Sequence, residues 1–196
     1  MEWFAKTVLY CPIRSPLYLG CDCQNIIEFI KGIDPMKIHA DWLSIPSTRL
    51  VMDKLLSKGF QAYFVGGCVR NSILDTEVKD IDISTSAHPI EVLEMMKKAG
   101  LKAVPTGIEH GTVTVVADKR NYEITTLRED IETDGRKAKV RFSKSILEDA
   151  KRRDFTINAI FSEQDGTILD PLNAIPDIFE KRIKFIGDPR ERIKKT

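Results

Sequence analysis

Asp80 and Asp82 flank Ile81 in the run Asp80-Ile81-Asp82-Ile83-Ser84, which reads as a strand over residues 79–85. Side chains at i and i+2 of a strand share one face. Both carboxylates would then stand together while Ile81 and Ile83 turn to a core. Two carboxylates at that spacing can hold one or two magnesium ions against a triphosphate. They also fit a solvated strand face, although adjacent like charges repel unless something offsets them. Glu123 is the only acidic residue in Tyr122-Glu123-Ile124-Thr125-Thr126. If that strand neighbours the first, Glu123 completes a three-carboxylate site; otherwise it is an exposed strand residue.

A second group consists of phosphate-binding types. Gly66-Gly67-Cys68-Val69-Arg70 lies between a β-type run, Phe60 to Val65, and a helix over Cys68 to Leu74. Glycines let the backbone turn tightly beside a ligand, the helix start offers free N–H groups, and Arg70 can reach the same phosphate. A plain strand–helix turn with a surface arginine fits as well. Arg152-Arg153-Asp154-Phe155-Thr156-Ile157-Asn158-Ala159 reads as part of a helix over 145–161, with Asp154 and Asn158 one turn apart on a shared face. Its arginines suit triphosphate or RNA phosphate. A capping Asp with flanking surface charge has the same spacing. The histidines are not clustered: His88 reads as a helix boundary and His110 as a turn residue, with acid–base work the alternative for His110.

These groups need a frame. A helix capped by Ser47 runs to about Lys58, ended by Gly59. Another starts at His88-Pro89 and stops at Gly100. Val113 to Ala117 and Tyr122 to Leu127 form a hairpin about the polar turn 118–121. The order β-α-β-α-β-β followed by helices predicts an α/β or α+β fold, a sheet with helices packed against it. Residues 1–35, with three of the four cysteines, read as an extension of uncertain structure, and Met36 is an alternative start. The main domain is expected over 36–175. Residues 176–196 are expected as a linker: a loop, a short strand from Ile183 to Ile186, and a helix after Pro189.

The chain is 42% hydrophobic, enough for a core, and its net charge is only +1. Charge is unevenly placed: residues 180–196 carry seven basic and three acidic side chains, and Lys151, Arg152 and Arg153 form a second cluster. Such patches favour polyanions, though a solvated helix face is the plainer reading. No run of about 18 apolar residues spans a membrane, and the start lacks a secretory signature. The four scattered cysteines make neither a zinc site nor a disulfide framework and suit a reducing, cytoplasmic compartment.

Taken together, GGCVRNSILDTEVKDIDIST resembles the first motif of the CCA-adding enzymes and bacterial poly(A) polymerases, class II of the polymerase-β-like nucleotidyltransferases. GIEHGTVTVV and YEITTLREDIETDGR look like the segments that follow, and RRDFTINAIF is close to the second motif. DGTILDPLNAIPDI and IKFIGDPRERI resemble the exit from the catalytic head, so the likeness covers about residues 41–194 in family order. It implies a mixed sheet flanked by helices and magnesium-dependent, template-independent nucleotidyl transfer from CTP and ATP to the 3′ end of tRNA. By this resemblance Asp80 and Asp82 bind two magnesium ions. One ion would activate the tRNA 3′-hydroxyl and the other steady the triphosphate and leaving pyrophosphate. Gly67 and Arg70 would hold phosphates and sugar. Arg153 and Asp154 would sit by the nucleotide, Asn158 at its ribose, with Arg152 in the same cleft.

Two departures qualify the likeness. Asn71 stands where the family usually has Asp, and after Arg192-Ile193 the usual acidic pair gives way to Lys195-Thr196. The base-reading arginines and the tRNA-gripping body are then expected to be missing, with a separate chain among the expected partners. The alternatives are a poly(A)-adding relative and an inactive remnant that binds nucleotide. GIEHGTVTV and EITTLR lean toward CCA addition, and the intact Asp80 and Asp82 lean against decay.

Overall fold

The computed structural model describes residues 35–134 and 137–193. The chain divides into two units, Met1–Pro35 and Met36–Thr196. The reading of residues 1–35 lies outside the described residues, as do Cys11, Cys21, Cys23, Lys194 and Lys195.

The second unit starts with α1 (Asp41–Ser44) and α2 (Pro46–Leu56). The sequence suggests Ser47 as the cap; instead Pro46 takes the first helical position, and Ser47 lies inside α2. Its hydroxyl is buried and shares the Tyr122 hydroxyl with Thr48, at 2.8 and 3.0 Å. This polar clasp fastens α2 to the sheet, where Val51, Met52 and Leu55 bury completely. Strand β1 (Ala62–Val65) then feeds α3 (Gly67–Ile73), followed by β2 (Ile81–Thr85), α4 (Pro89–Lys98) and the meander β3 (Lys102–Gly107), β4 (Thr112–Ala117) and β5 (Arg120–Thr126). His88 is the N-cap of α4, and its backbone N–H donates to Glu91 at 2.8 Å. Asp118 and Lys119, both at positive φ, make the tight β4–β5 turn.

The sheet has seven strands in the order β3-β4-β5-β2-β1-β8-β9, where β8 is Phe161–Ser162 and β9 Ile168–Leu169. Only β2 and β5 run parallel; the other neighbours are antiparallel. The expected mixed sheet flanked by helices is therefore present. The sequence reading passed over β3, β8 and β9. It also passed over the separate hairpin of β6 (Arg128–Asp134) and β7 (Lys137–Phe142).

Alternation along β1 shows how the sheet divides the interior. Ala62 and Phe64 enter the main core with α2 and α4; Tyr63 and Val65 pack in a second cluster with Leu127, Ala150, Ala159 and Phe161. The second cluster rests on α5 (Ile146–Lys151). The helix expected over 145–161 stops there. Backbone partners elsewhere end it: the Thr156 N–H donates to Lys184 O at 2.9 Å, the Ile186 N–H to Asp154 O at 2.9 Å, and the Phe155 ring lies 4.7 Å from that of Phe185. Only a single turn of 3₁₀ helix follows, over Thr156–Asn158. The expected strand from Ile183 to Ile186 is reduced to one bridge, Phe155 to Phe185. Helix α6 (Ile175–Phe179) buries Ile178 in the main core, and α7 (Pro189–Ile193) follows Pro189 as expected.

Candidate active site

Two strands from distant parts of the chain set the site. The parallel register pairs Ile81 with Tyr122, Asp82 with Glu123 and Ile83 with Ile124. Ile81, Ile83, Tyr122 and Ile124 go into the main core, so Asp82 and Glu123 stand side by side on the opposite face. On that face Asp82 is half-buried and Glu123 is exposed. Residues 149–161 cover part of it, and a cavity of about 310 Å³ remains, lined by Asp82, Ser84, Glu123, Arg128, Arg152 and Arg153 among others. The strand expected over 79–85 begins only at Ile81, so Asp80 lies just before β2, at an exposed position, and not on the strand face with Asp82.

The electrostatics follow from this crowding. Burial, and after it the charge of Glu123, pushes the Asp82 carboxyl up to about 6 from an ordinary 3.8; Arg153 opposes the rise, and Asp80 adds to it. Burial likewise pulls the Arg153 guanidinium down, against the opposing pull of Asp149. No group of three or more His, Cys, Asp and Glu among the described residues is gathered as a metal site. What the chain presents is a pair of hard carboxylates in register, with a third carboxylate nearby. Magnesium is commonly held by one or two protein carboxylates, completing its shell with substrate phosphates and water. The donor set fits that ion.

Holding the Asp82 carboxyl above its ordinary range makes stability depend on pH. Below about pH 4 the group is protonated in both folded and unfolded chains and makes no difference. Between about 4 and 6 the unfolded chain gives up the proton while the folded one keeps it, so stability falls as pH rises. Above about 6 the penalty is constant. Asp82→Asn is therefore expected to unfold at a higher temperature than the unaltered protein at pH 7 and to lose that advantage near pH 4. Thermal unfolding across this range checks it; equal midpoints at every pH would refute it.

The glycine turn brings two more elements to the site. Gly66 has φ +77° and ψ −127°, a conformation open essentially to glycine alone. A Cβ there would lie 3.7 Å from Arg153 Nη1, 3.7 Å from Asn158 O and 3.9 Å from Asp82 Oδ2, so the turn sits among the site residues. Gly67 begins α3, and Arg70, one turn on, donates through Nη1 to Asn158 Oδ1. Asn71 fixes Arg70 from the other side. Its Oδ1 accepts from Nε at 3.2 Å and Nη2 at 3.0 Å, while its own Nδ2 donates to Glu77 O at 2.9 Å. The amide does what a carboxylate could not, accepting from the arginine and donating to the loop that leads to Asp80.

The arginine segment differs most from expectation. Because α5 ends at Lys151, Asp154 and Asn158 do not share a helix face. The Asp154 side chain is exposed and does not line the cavity, whereas Asn158 meets Arg70. Arg152 and Arg153 are not a solvated basic face either: both bind the wholly buried Asp149. Arg153 also donates to Ser84 Oγ and Asn158 O and lies over the Phe161 ring. His110 is exposed, ends a 3₁₀ turn and does not line the cavity; its carbonyl accepts from Arg128.

Ser84, Asp149 and Arg128 are among the cavity-facing or supporting residues that the sequence reading does not single out. Ser84 is the next residue after Asp82 on the same strand face, a spacing that could have flagged it. Asp149 precedes Arg152 and Arg153 by three and four residues, the spacing of helical ion pairs. Arg128 carried no local signal, because β6 reaches the site only through the fold. Cys68 is buried beneath the turn, and burial pushes its thiol up to about 11, the state of a structural cysteine.

Comparison with known proteins places this arrangement. A family model for the poly A polymerase head domain matches residues 62–184. The chain is 45% identical over 146 residues to the CCA-adding enzyme of Levilactobacillus brevis, covering 74% of this chain and 36% of that one. It is 46% identical over 159 residues to the CCA-adding enzyme of Leuconostoc citreum, covering 80% and 38%. Among solved structures it resembles the Bacillus stearothermophilus CCA-adding enzyme in complex with CTP, with a TM-score of 0.67 and 37% identity over 76% of this chain and 35% of that one. It also resembles a tRNA nucleotidyltransferase complexed with a primer tRNA and an incoming ATP analog, with a TM-score of 0.56 and 30% identity over 70% and 39%. The chain thus spans little more than a third of the length of these relatives. Since the glycine turn, the paired carboxylates and the arginine segment all fall inside the matched stretch, the chain belongs to the family of CCA-adding enzymes and poly(A) polymerases, as a nucleotidyltransferase head domain.

Proposed function

We propose that this head domain carries out magnesium-dependent, template-independent transfer of nucleotides from CTP and ATP to the 3′ end of tRNA. The observation that carries the reading is the pairing of Asp82 with Glu123 beside a cavity walled on its other side by arginines. One wall suits a divalent cation and the other suits phosphate oxygens. When bound, magnesium would neutralise charge on the triphosphate and favour attack by a hydroxyl.

The chain's own residues then have distinct tasks. Asp80 and Asp82 supply cation ligands, and Glu123 completes the acidic wall. Gly66, Gly67 and Arg70 receive phosphate and sugar at the start of α3. Arg152 and Arg153 meet the triphosphate, and Asn158, tied to Arg70, meets the ribose. Asp154 would act from the rim, since its side chain is exposed. A tRNA substrate assigns the protein to the cytoplasm; no helix among the described residues is long and apolar enough to cross a membrane.

The test is incorporation of labelled CTP and ATP into tRNA lacking its CCA end, with magnesium, resolved by product length and compared with Asp82→Ala. Asp82-dependent addition of C, C and A is expected. A ladder of A alone would replace CCA addition by poly(A) addition. No Asp82-dependent product would overturn transfer by this chain on its own.

A further inference from the structure

Asp149 lies outside the motifs that carry the proposed chemistry, yet its side chain is 0% exposed. A carboxylate shut away from water is costly unless it is paired and hydrogen-bonded. Its partners all belong to one place. Oδ1 accepts from Arg152 Nε at 2.7 Å and from the Arg128 backbone N–H at 3.3 Å. Oδ2 accepts from Arg153 Nη2 at 2.9 Å and Nε at 3.3 Å. Arg128, Arg152 and Arg153 all line the cavity that holds Asp82.

The geometry of these bonds matters more than their number. Arg152 is gripped at Nε, the inner end of its guanidinium, and among the described residues no partner holds its Nη groups. Arg153 is gripped along its Nε–Nη2 edge, steadied by Ser84 at 3.3 Å and backed by the Phe161 ring at 5.4 Å. One anion thus orients two cations, and the trio keeps one net positive charge facing Asp82 and Glu123. An exposed helical pair at the same spacing would have neither the burial nor the shared partner.

We propose that Asp149 is a positioning residue of the nucleotide site. It fixes Arg152 and Arg153 side by side before a triphosphate arrives, so that binding need not order two long side chains. The inference rests on the nucleotidyl-transfer reading for what the arginines meet. The orientation of the arginines can be measured without any nucleotide.

The unaltered protein gives the first test. Its Arg152 and Arg153 Nε–H groups are expected to give resolved NMR signals that exchange with solvent at least about 10-fold more slowly than free arginine. If both exchange at the free rate, Asp149 does not hold them and the inference fails, whether or not any variant folds. In Asp149→Asn an amide N–H₂ group replaces one of the two accepting oxygens. The arginine signals should lose their protection, and magnesium-dependent CTP affinity should fall by at least about 10-fold. In a background with Arg152 and Arg153 both changed to Ala, the same change should cost no more than about 2-fold further. Equal losses in both backgrounds would show that Asp149 acts on the fold and not through the arginines, and would overturn the proposal. Failure of the unaltered protein to bind CTP or ATP would sink the nucleotidyl-transfer reading alone, because the exchange rates would still decide whether Asp149 orders the arginines.

Discussion

Asp82→Asn is expected to lower nucleotidyl transfer by about 10³-fold or more, the scale seen when a preorganised electrostatic group is removed from an active site. Asparagine keeps the shape of the side chain and its place in β2, between the buried Ile81 and Ile83. What disappears is one of the two negative charges that face each other across the β2–β5 register. Glu123 and Asp80 would remain without the carboxylate between them, while the arginine wall, still held by Asp149, would be unchanged. Nucleotide binding without metal should therefore survive better than turnover. Single-turnover incorporation at saturating CTP and magnesium checks the prediction, and a loss of less than about 10-fold would remove Asp82 from the centre of the reaction. The same variant is expected to be the more stable protein at neutral pH, because the carboxyl it replaces is held at about 6 by burial and by Glu123. Lower activity together with higher stability is the signature of a charge kept for function at the expense of folding.

Gly66→Ala is the second large effect expected. The φ of +77° with ψ −127° lies where an L side chain is strained by about 1–3 kcal/mol. The methyl itself has room, since its nearest neighbours would stand at 3.7 Å. The cost is thus conformational, and the chain can relieve it only by reshaping the turn. Such a change would move the start of α3 against Asn158, to which Arg70 is bonded, and against Asp82. A drop in the unfolding midpoint of roughly 2–10 °C is expected, with CTP affinity lower by about 10-fold. Gly67→Ala is the control for backbone strain, read in the unfolding midpoint alone because Gly67 is itself placed in the nucleotide site. Gly67 has no positive φ, and a Cβ there would meet only the far end of Arg70, at 3.8 Å. Unfolding curves of both variants, with a CTP titration of Gly66→Ala, decide the matter. If the two unfold alike, Gly66 carries no backbone strain that the turn depends on.

These expectations rest on parts of the molecule that were legible to different degrees. The glycine turn, the Asp82 strand, the β4–β5 hairpin and the α4 cap are local features. Their residue types and spacing satisfy rules that act over a few positions, and the fold obeys them. The segment after Lys151 is different. Its residues fit a helix, but the backbone groups of Asp154 and Thr156 find partners at Ile186 and Lys184, about thirty residues away. Long-range pairing outweighed a weak local preference. Ser47 was misread for a smaller reason: Pro46 fills the first helical position and frees the hydroxyl for Tyr122.

The sequence by itself determined which residues could do chemistry and in what order they occur. It determined that Asp82 shares no face with Ile81, because strand alternation is a property of neighbours in the chain. Only the tertiary structure decided that Glu123 stands beside Asp82, since a parallel pairing across some forty residues has no local signature. Only the tertiary structure decided that the basic cluster is not a solvated face, because burial of Asp149 depends on what packs over α5. Spacing along the chain sets which side chains point together; the long-range packing of strands and helices sets how near they come and how much water remains, and from those follow charge, protonation and reactivity.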